Sequence, residues 1–398
     1  MNRILLALVF VFSIGSNVHA VPNSWEGILQ KARGQTVYWN AWAGDENTNQ
    51  FIAWVIRNVE EQYGVKVEHV KIKLTSESVA RVVAEKAAGR NEGGSIDLIW
   101  INGENFLAMK EQGLLFGPFT QLLPNYELVD TVGKPTTVID FAVPVDGMES
   151  PWRMAQIVYV YDTARLQKPP SSMAAMLEWS KKNPGRLTHP QIRNFLGSTF
   201  LKQALYELAP DPSVLQKPAT DENFAEVTAP LWAWYEELKP NMWRHGKEFP
   251  ESGPAMRQLL ADGEIDIMIS FSPNEASISI AKGILPDTVR TYVLEKGTIG
   301  NTSFVAIPYN ANAKEGAMVV ANFLLSPESQ AHAQNPEIMG NFTVLDLKKL
   351  TDEQRDLFKK LPKGIATLSD QELGVPLLEP HPSWMNRIVE EWERRYSG

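Results

Sequence analysis

The sequence predicts an α/β chain of two similar lobes, each a mainly parallel sheet flanked by helices, with a ligand cleft between them. Three observations carry this. After the Gly93-Gly94 turn, residues 95 to 101 (Ser95, Ile96, Asp97, Leu98, Ile99, Trp100, Ile101) are nearly all apolar, as in a strand buried on both faces of a parallel sheet. That strand runs straight into Asn102, Gly103, Glu104 and Asn105, and polar groups beyond the carboxyl end of such a strand mark a ligand crevice. The same device recurs where Gly263 leads into Ile265, Asp266, Ile267, Met268 and Ile269, then Ser270, Phe271, Ser272, Pro273, Asn274 and Glu275. One copy in each half of the chain predicts two lobes facing one another.

Taken in order, Arg3, an apolar run from about Ile4 to Ile14, and Val18-His19-Ala20 read as a secretory signal peptide of residues 1–20. The apolar run is too short for the roughly 20 residues that cross a bilayer. After a polar leader, Thr36 to Trp42 reads as a strand ending in Ala43-Gly44-Asp45-Glu46-Asn47. Asn49 is the expected N-cap of a helix carrying Ile52, Val55, Ile56, Val59 and Tyr63 before Gly64. Val65 to Leu74 alternates as a strand, and Ser76 opens a helix that Gly89 closes. This β-α-β-α-β order specifies a right-handed, doubly wound sheet.

Past Gly113 the chain is punctuated by Pro and Gly, and Val143 to Asp162 is extended again, the place for a first crossing between lobes. Met173 to Lys182 reads as a helix, Arg186 to Thr188 as a short strand, and a further helix begins near Leu196. Ile299 to Pro308 is extended, Lys314 to Leu325 helical, and Trp384, Ile388, Val389, Trp392 and Tyr396 form one face of a last helix, read as core packing. The lobes are therefore expected as 21–150 plus 299–345 and 151–298 plus 346–398.

Composition excludes several classes. Loss of the leader moves the formal net charge from −9 to −10, and an acidic chain of pI near 5.4 without a basic run suits neither nucleic acid nor an anionic membrane surface. The absence of cysteine rules out disulfides, thiolate metal sites and thiol nucleophiles. No G-x-S-x-G, H-E-x-x-H or G-x-G-x-x-G occurs, the six histidines are scattered, and Gly89 to Gly94 lacks the lysine of a phosphate loop. No enzyme activity, metal or cofactor is expected. The rival is an exported hydrolase using a carboxylate pair in the cleft.

Ile96 to Gln112, Asn183-Pro184-Gly185-Arg186 and above all Leu260 to Leu347 resemble the periplasmic solute-binding proteins of ABC importers. The last stretch holds Gly263-Glu264-Ile265-Asp266, Lys282 to Pro286, Gly300-Asn301-Thr302, Ala321 to Gln330 and Asn335 to Gly340. Within that family the chain is most similar to the YnjB-like branch. The resemblance implies the type II binding-protein fold, a periplasmic location, a small-molecule ligand clamped between the lobes, and delivery to permease subunits by a monomer that is not inserted in the membrane.

The ligand wall is expected from strand-end loops: Asn40, Trp42, Gly44 and Asp45 first, then Trp100, Asn102, Gly103, Glu104 and Asn105. Trp152 and Gln156 come from the crossing, Gly197, Ser198 and Thr199 from a helix start, Ser270, Ser272, Asn274 and Glu275 from the second copy, and Asn301 and Thr302 from the return. Asp45, Glu104 and Glu275 with Trp42, Trp100 and Trp152 would offer carboxylates and aromatic faces, both attractive to cations. A small organic cation, thiamine-like or a polyamine, is the expected ligand. A sugar or an anionic, phosphorylated solute is the alternative, suggested by Arg153 and the helix start at Gly197 to Thr199.

Overall fold

The computed structural model describes residues 24–396, so the leader read at 1–20 lies outside the described residues. Strands β1 (Thr36–Trp42), β2 (Lys66–Ile72) and β3 (Leu98–Ile101) alternate with helices α1 (Trp25–Ala32), α2 (Glu46–Tyr63), α3 (Thr75–Ala87) and α4 (Gly103–Glu111). α1 falls where the sequence read only a polar leader. It is capped by Ser24 and buries Ile28 and Ala32, and its contact with a distant helix, α10 below, supplies what a local pattern of eight residues could not.

The other boundaries shift by capping chemistry. Asp45, not Asn49, caps α2, its carboxylate accepting from the Thr48 backbone N–H at 2.9 Å, while Asn49 lies inside the helix and donates to the Ala43 carbonyl. The start of α3 is held by Glu77, which accepts from the Leu74 N–H at 3.1 Å, so Ser76 is within the helix and the preceding strand stops at Ile72.

A two-stranded hairpin, β4 (Ile139–Asp140) and β5 (Val143–Pro144), precedes β6 (Glu149–Gln156) and β7 (Val158–Asp162). Then come α5 (Met173–Lys182), α6 (Phe195–Leu208), α7 (Asp221–Leu238), α8 (Gly253–Ala261), β8 (Ile267–Ser270), α9 (Glu275–Ala281), β9 (Val289–Tyr292) and β10 (Gly300–Ala306). α10 (Lys314–Leu324), α11 (Pro327–Gln334), α12 (Asp352–Lys359), α13 (Asp370–Leu373) and α14 (Pro382–Tyr396) complete the chain.

The first sheet has the order β2-β1-β3-β10-β6, with β1, β2 and β3 parallel and β10 antiparallel to both its neighbours. Leu98 and Trp100 enter one core and Ile99 and Ile101 another on the opposite face, which is why this strand is apolar without alternation. The second sheet is β8-β7-β9. Here β8 and β9 run the same way and both pair antiparallel with β7, because β7 enters directly from β6 as a crossing strand. The segment expected as a strand at Arg186 to Thr188 makes a single parallel bridge, Leu187 to Ile267, before His189 and Pro190 turn the chain away.

Two chief cores follow the sheets. β1, β3, Trp152, α10, Leu350 and Phe358 share the first, and β7, β8, α6, Ala366, Leu373 and the α14 residues Trp384, Ile388 and Trp392 share the second. All of β6 belongs to the first sheet and Leu350 and Phe358 to the first core, beyond the expected boundaries at 150 and 345.

Candidate functional site

The carboxyl ends of β1 and β3 and the crossing strand β6 bring three tryptophans together. Trp42 and Trp100 meet edge to face at 6.3 Å between ring centroids, and Trp100 and Trp152 at 5.0 Å. Gly44 is required beside them, since a Cβ there would lie 2.3 Å from the Trp42 ring. Asn40 is buried and donates to the Ser78 hydroxyl at 3.0 Å.

Arg153 lies over this cluster. Its guanidinium carbon is 4.3 Å from the Trp100 centroid and 5.0 Å from that of Trp152. Nε donates to the Ser303 hydroxyl and Nη1 to the Asn341 side-chain oxygen, each at 3.3 Å. Burial lowers its pKa to about 10, partly offset by the charge of Asp45.

A second group of polar side chains gathers around Lys202 of α6. This lysine is fully buried, its Nζ 2.6 Å from a Glu379 oxygen, and the other Glu379 oxygen accepts from Asn301 at 2.9 Å. The Phe141 and Phe195 rings lie 4.7 and 4.8 Å from Nζ. Gly103, at φ +59, turns its N–H onto the buried Asp140 carboxylate at 2.5 Å. Asn105 donates to one oxygen of Glu104, whose other oxygen is buried with no hydrogen-bond partner.

Burial raises the pKa of all four carboxyls in this neighbourhood. For Glu379 and Glu104 it outweighs the pull of Lys202. Asp140 is raised well above the carboxylate range, burial and the charges of Glu104 and Glu379 overcoming the Gly103 N–H, and Glu149 likewise by burial and Asp140. A cavity of about 10 Å³, room for about one water, lies between Thr136, Asp140, Phe141, Asn301, Thr302 and Glu379.

The structure thus draws Trp42, Gly44, Trp100 and Trp152 into one cluster, with Asp45 near enough to act on Arg153, and places Gly103, Glu104, Asn105 and Asn301 in the other. Asn102 precedes α4 without a side-chain cap, and Thr302 bonds to Thr136 at 2.9 Å. Gln156 is buried against Thr298 and the Leu373 carbonyl. The helix start at α6 is self-contained: Ser198 and Thr199 both donate to the Phe195 carbonyl, and the N–H groups of Gly197 and Ser198 donate to Asn194.

In the second copy, Ser270 accepts from the Ser272 N–H, while the Ser272 hydroxyl is buried without a partner. Asn274 donates to the Gly340 carbonyl and accepts from Thr367, and Glu275 is paired with Arg257 at 2.8 Å. Sequence reasoning missed Lys202, Glu379, Asp140, Asn341 and Ser303. The available signal was charge inside apolar runs: Lys202 sits in Phe200-Leu201-Lys202-Gln203-Ala204-Leu205 and Glu379 follows Leu377-Leu378.

Comparison with known proteins bears on the fold and the family. The profile of the bacterial extracellular solute-binding protein family matches residues 54–352. The protein YnjB of Escherichia coli K12 is 41% identical over 393 residues, covering 98% of each chain. Among solved structures, the periplasmic binding protein AfuA of Actinobacillus pleuropneumoniae, with fructose-6-phosphate bound, superposes with a TM-score of 0.63 at 14% identity, over 91% of this chain and 99% of that one. The spermidine/putrescine substrate-binding protein PotD of Streptococcus pneumoniae gives 0.60 at 15% identity, over 91% and 98%.

Proposed function

The chain belongs to the bacterial extracellular solute-binding protein family, and on that premise we propose that it captures a small solute between its two lobes in the periplasm and delivers it, unaltered, to the permease subunits of an ABC-type importer. The observation that carries this reading is the hydrogen bonding across the two bodies. Lys282, at the end of α9, donates to Asn47 in the first turn of α2, and Asn274 donates to the Gly340 carbonyl beside Met339 of the first core. Strand-end elements of the two sheets thus meet as the jaws of a clamp, and the connections at 156–158 and, through the turn at Gly297, at 293–299 serve as the hinge. Core membership supports lobe boundaries near Gln156, Ile299 and Phe358.

The expected organic cation depended on carboxylates and ring faces being free for it. Asp45 caps α2, Glu275 is paired with Arg257, and Arg153 lies over Trp100 and Trp152. The chain's own cation already holds the aromatic site, which favours a solute of another kind there.

The test is to screen candidate solutes by thermal shift, follow closure by small-angle scattering, and recover the solute for NMR. A ligand at 100 times its dissociation constant stabilises by about 2.7 kcal/mol, and a binding protein returns it unchanged with a smaller radius of gyration. Conversion of the solute would replace this reading by the hydrolase one. ATP-driven uptake through the cognate permease in liposomes checks the delivery step.

A further inference from the structure

Resting on the solute-binding reading, we propose that the cleft receives an oxyanion of the solute, a carboxylate or phosphate group, on the Arg153 guanidinium. The argument begins with donors. A guanidinium carries five N–H groups in a fixed fork. The protein supplies Arg153 with the Ser303 hydroxyl, the Asn341 amide oxygen and the Met339 sulfur, at 3.3, 3.3 and 3.9 Å. All three acceptors are neutral, and Nη2 has no acceptor among the described residues.

Other buried or partly buried cations are treated differently. Lys202 has Glu379 at 2.6 Å, Arg257 has Glu275 at 2.8 Å, and Arg186 holds Asp266 through two nitrogens. Arg153 has no carboxylate within ion-pair distance among the described residues. The acidic group that acts on it, Asp45, gives one of its oxygens to the Thr48 N–H and hydroxyl.

Drawing a charge even partly out of water without a counter-ion is costly, and the two indoles recover only part of that. What the rings do supply is orientation, because they fix the plane of the fork, and a fixed planar fork is the group that recognises carboxylate or phosphate through parallel hydrogen bonds. The position joins both jaws: Arg153 is on the crossing strand, Trp100 at the end of β3, and Asn341 one residue past the Gly340 that Asn274 grips. An anion drawn to Arg153 therefore sits where closure is read.

The experiment measures unfolding midpoint and tryptophan emission of the protein with inorganic phosphate, glycerol 3-phosphate, succinate and citrate, with putrescine and glucose as cationic and neutral arms. At least one oxyanion raises the midpoint and changes the emission, and whether phosphates or carboxylates do so identifies the source. In Arg153→Met that affinity falls roughly a hundredfold while the ligand-free midpoint does not fall, because an unpaired charge has been removed. Arg153→Lys keeps the charge but not the fork and weakens binding roughly tenfold, which gives the same reading should the methionine variant fold poorly. Silence toward all four oxyanions, or an oxyanion response unchanged in both variants, overturns the proposal. A response to putrescine or glucose that survives in Arg153→Met overturns it too and leaves the solute-binding reading standing, whereas a solute consumed during the assay removes that reading instead.

Discussion

Replacing Lys202 tests whether the buried polar group between the lobes is held together by one ion pair. The lysine and Glu379 side chains are 0% and 2% exposed, 2.6 Å apart, and Glu379 is further fixed by Asn301. Removing one partner of such a pair leaves a buried charge uncompensated and costs about 3–5 kcal/mol, whereas removing both is often nearly neutral. In Lys202→Met, Glu379 loses the first of the influences that lower its pKa, so its pKa rises further and it is neutralised more readily. That relief puts the expected cost at the lower end, about 3 kcal/mol. Glu379→Gln leaves the ammonium between Phe141 and Phe195 without a carboxylate, and since those rings return about 1 kcal/mol a cost near 3 kcal/mol is again expected. The double variant should then be more stable than the sum of the single effects by about 2 kcal/mol or more. Urea unfolding followed by tryptophan fluorescence at pH 7 supplies the cycle. Single variants within about 0.5 kcal/mol of the parent, or strictly additive effects, would refute the reasoning.

The raised carboxyls set the sign of a pH effect. Asp140 and Glu149 keep their protons when folded at pH values where the unfolded chain has lost them, so their contribution is full below the ordinary carboxylate range and declines as pH rises from that range toward the raised folded value, by up to about 1.4 kcal/mol per pH unit for each group. Asp140→Asn and Glu149→Gln should each flatten a plot of unfolding free energy against pH between 5 and 8, and an unchanged slope in both variants would rule this out. Lys282→Ala removes the contact to Asn47 and should increase the radius of gyration of the ligand-free protein; identical scattering curves would show that the contact does not hold the jaws. Gly197→Ala places a Cβ 2.2 Å from the Gln191 carbonyl oxygen and 2.4 Å from that of Pro190. Both are backbone atoms, so a loss of about 1–3 kcal/mol is expected, and a parental denaturation midpoint would count against it.

The fold was legible where burial left a pattern in neighbouring residues. β3 and β8 read as buried strands because every position in them is buried, and the α14 stripe read as core because Trp384, Ile388 and Trp392 share one face in the second core. Legibility failed where the partner was remote. α1 needs α10, the Asp45 cap competes with Asn49 a few residues on, and the antiparallel run of β7 follows from its entry off β6, which no periodicity encodes. The site divides the same way. Strand ends pointed to Trp42, Trp100 and Glu104, which the fold gathers into the two side-chain clusters, but pairing Lys202 with Glu379 spans 177 residues, and a carboxylate and an ammonium so far apart carry no spacing to read.

That pairing is also what separates scaffold from receptor. A charged side chain that closes on an opposite charge within the chain has its desolvation offset in the absence of any ligand, so it specifies the folded arrangement and offers little to a solute. Lys202, Arg257 and Arg186 are of this kind. Asp45 is engaged differently, one of its oxygens accepting from the Thr48 N–H and hydroxyl at the start of α2. Asp45 and Glu275, counted along the sequence, therefore overstate the site's negative character, because counting residues does not reveal which are already engaged. Once engaged groups are set aside, the aromatic cluster holds a guanidinium whose hydrogen-bond acceptors among the described residues are all neutral. The charge that remains after internal pairing, not the charge written in the loops, is the one a ligand must answer.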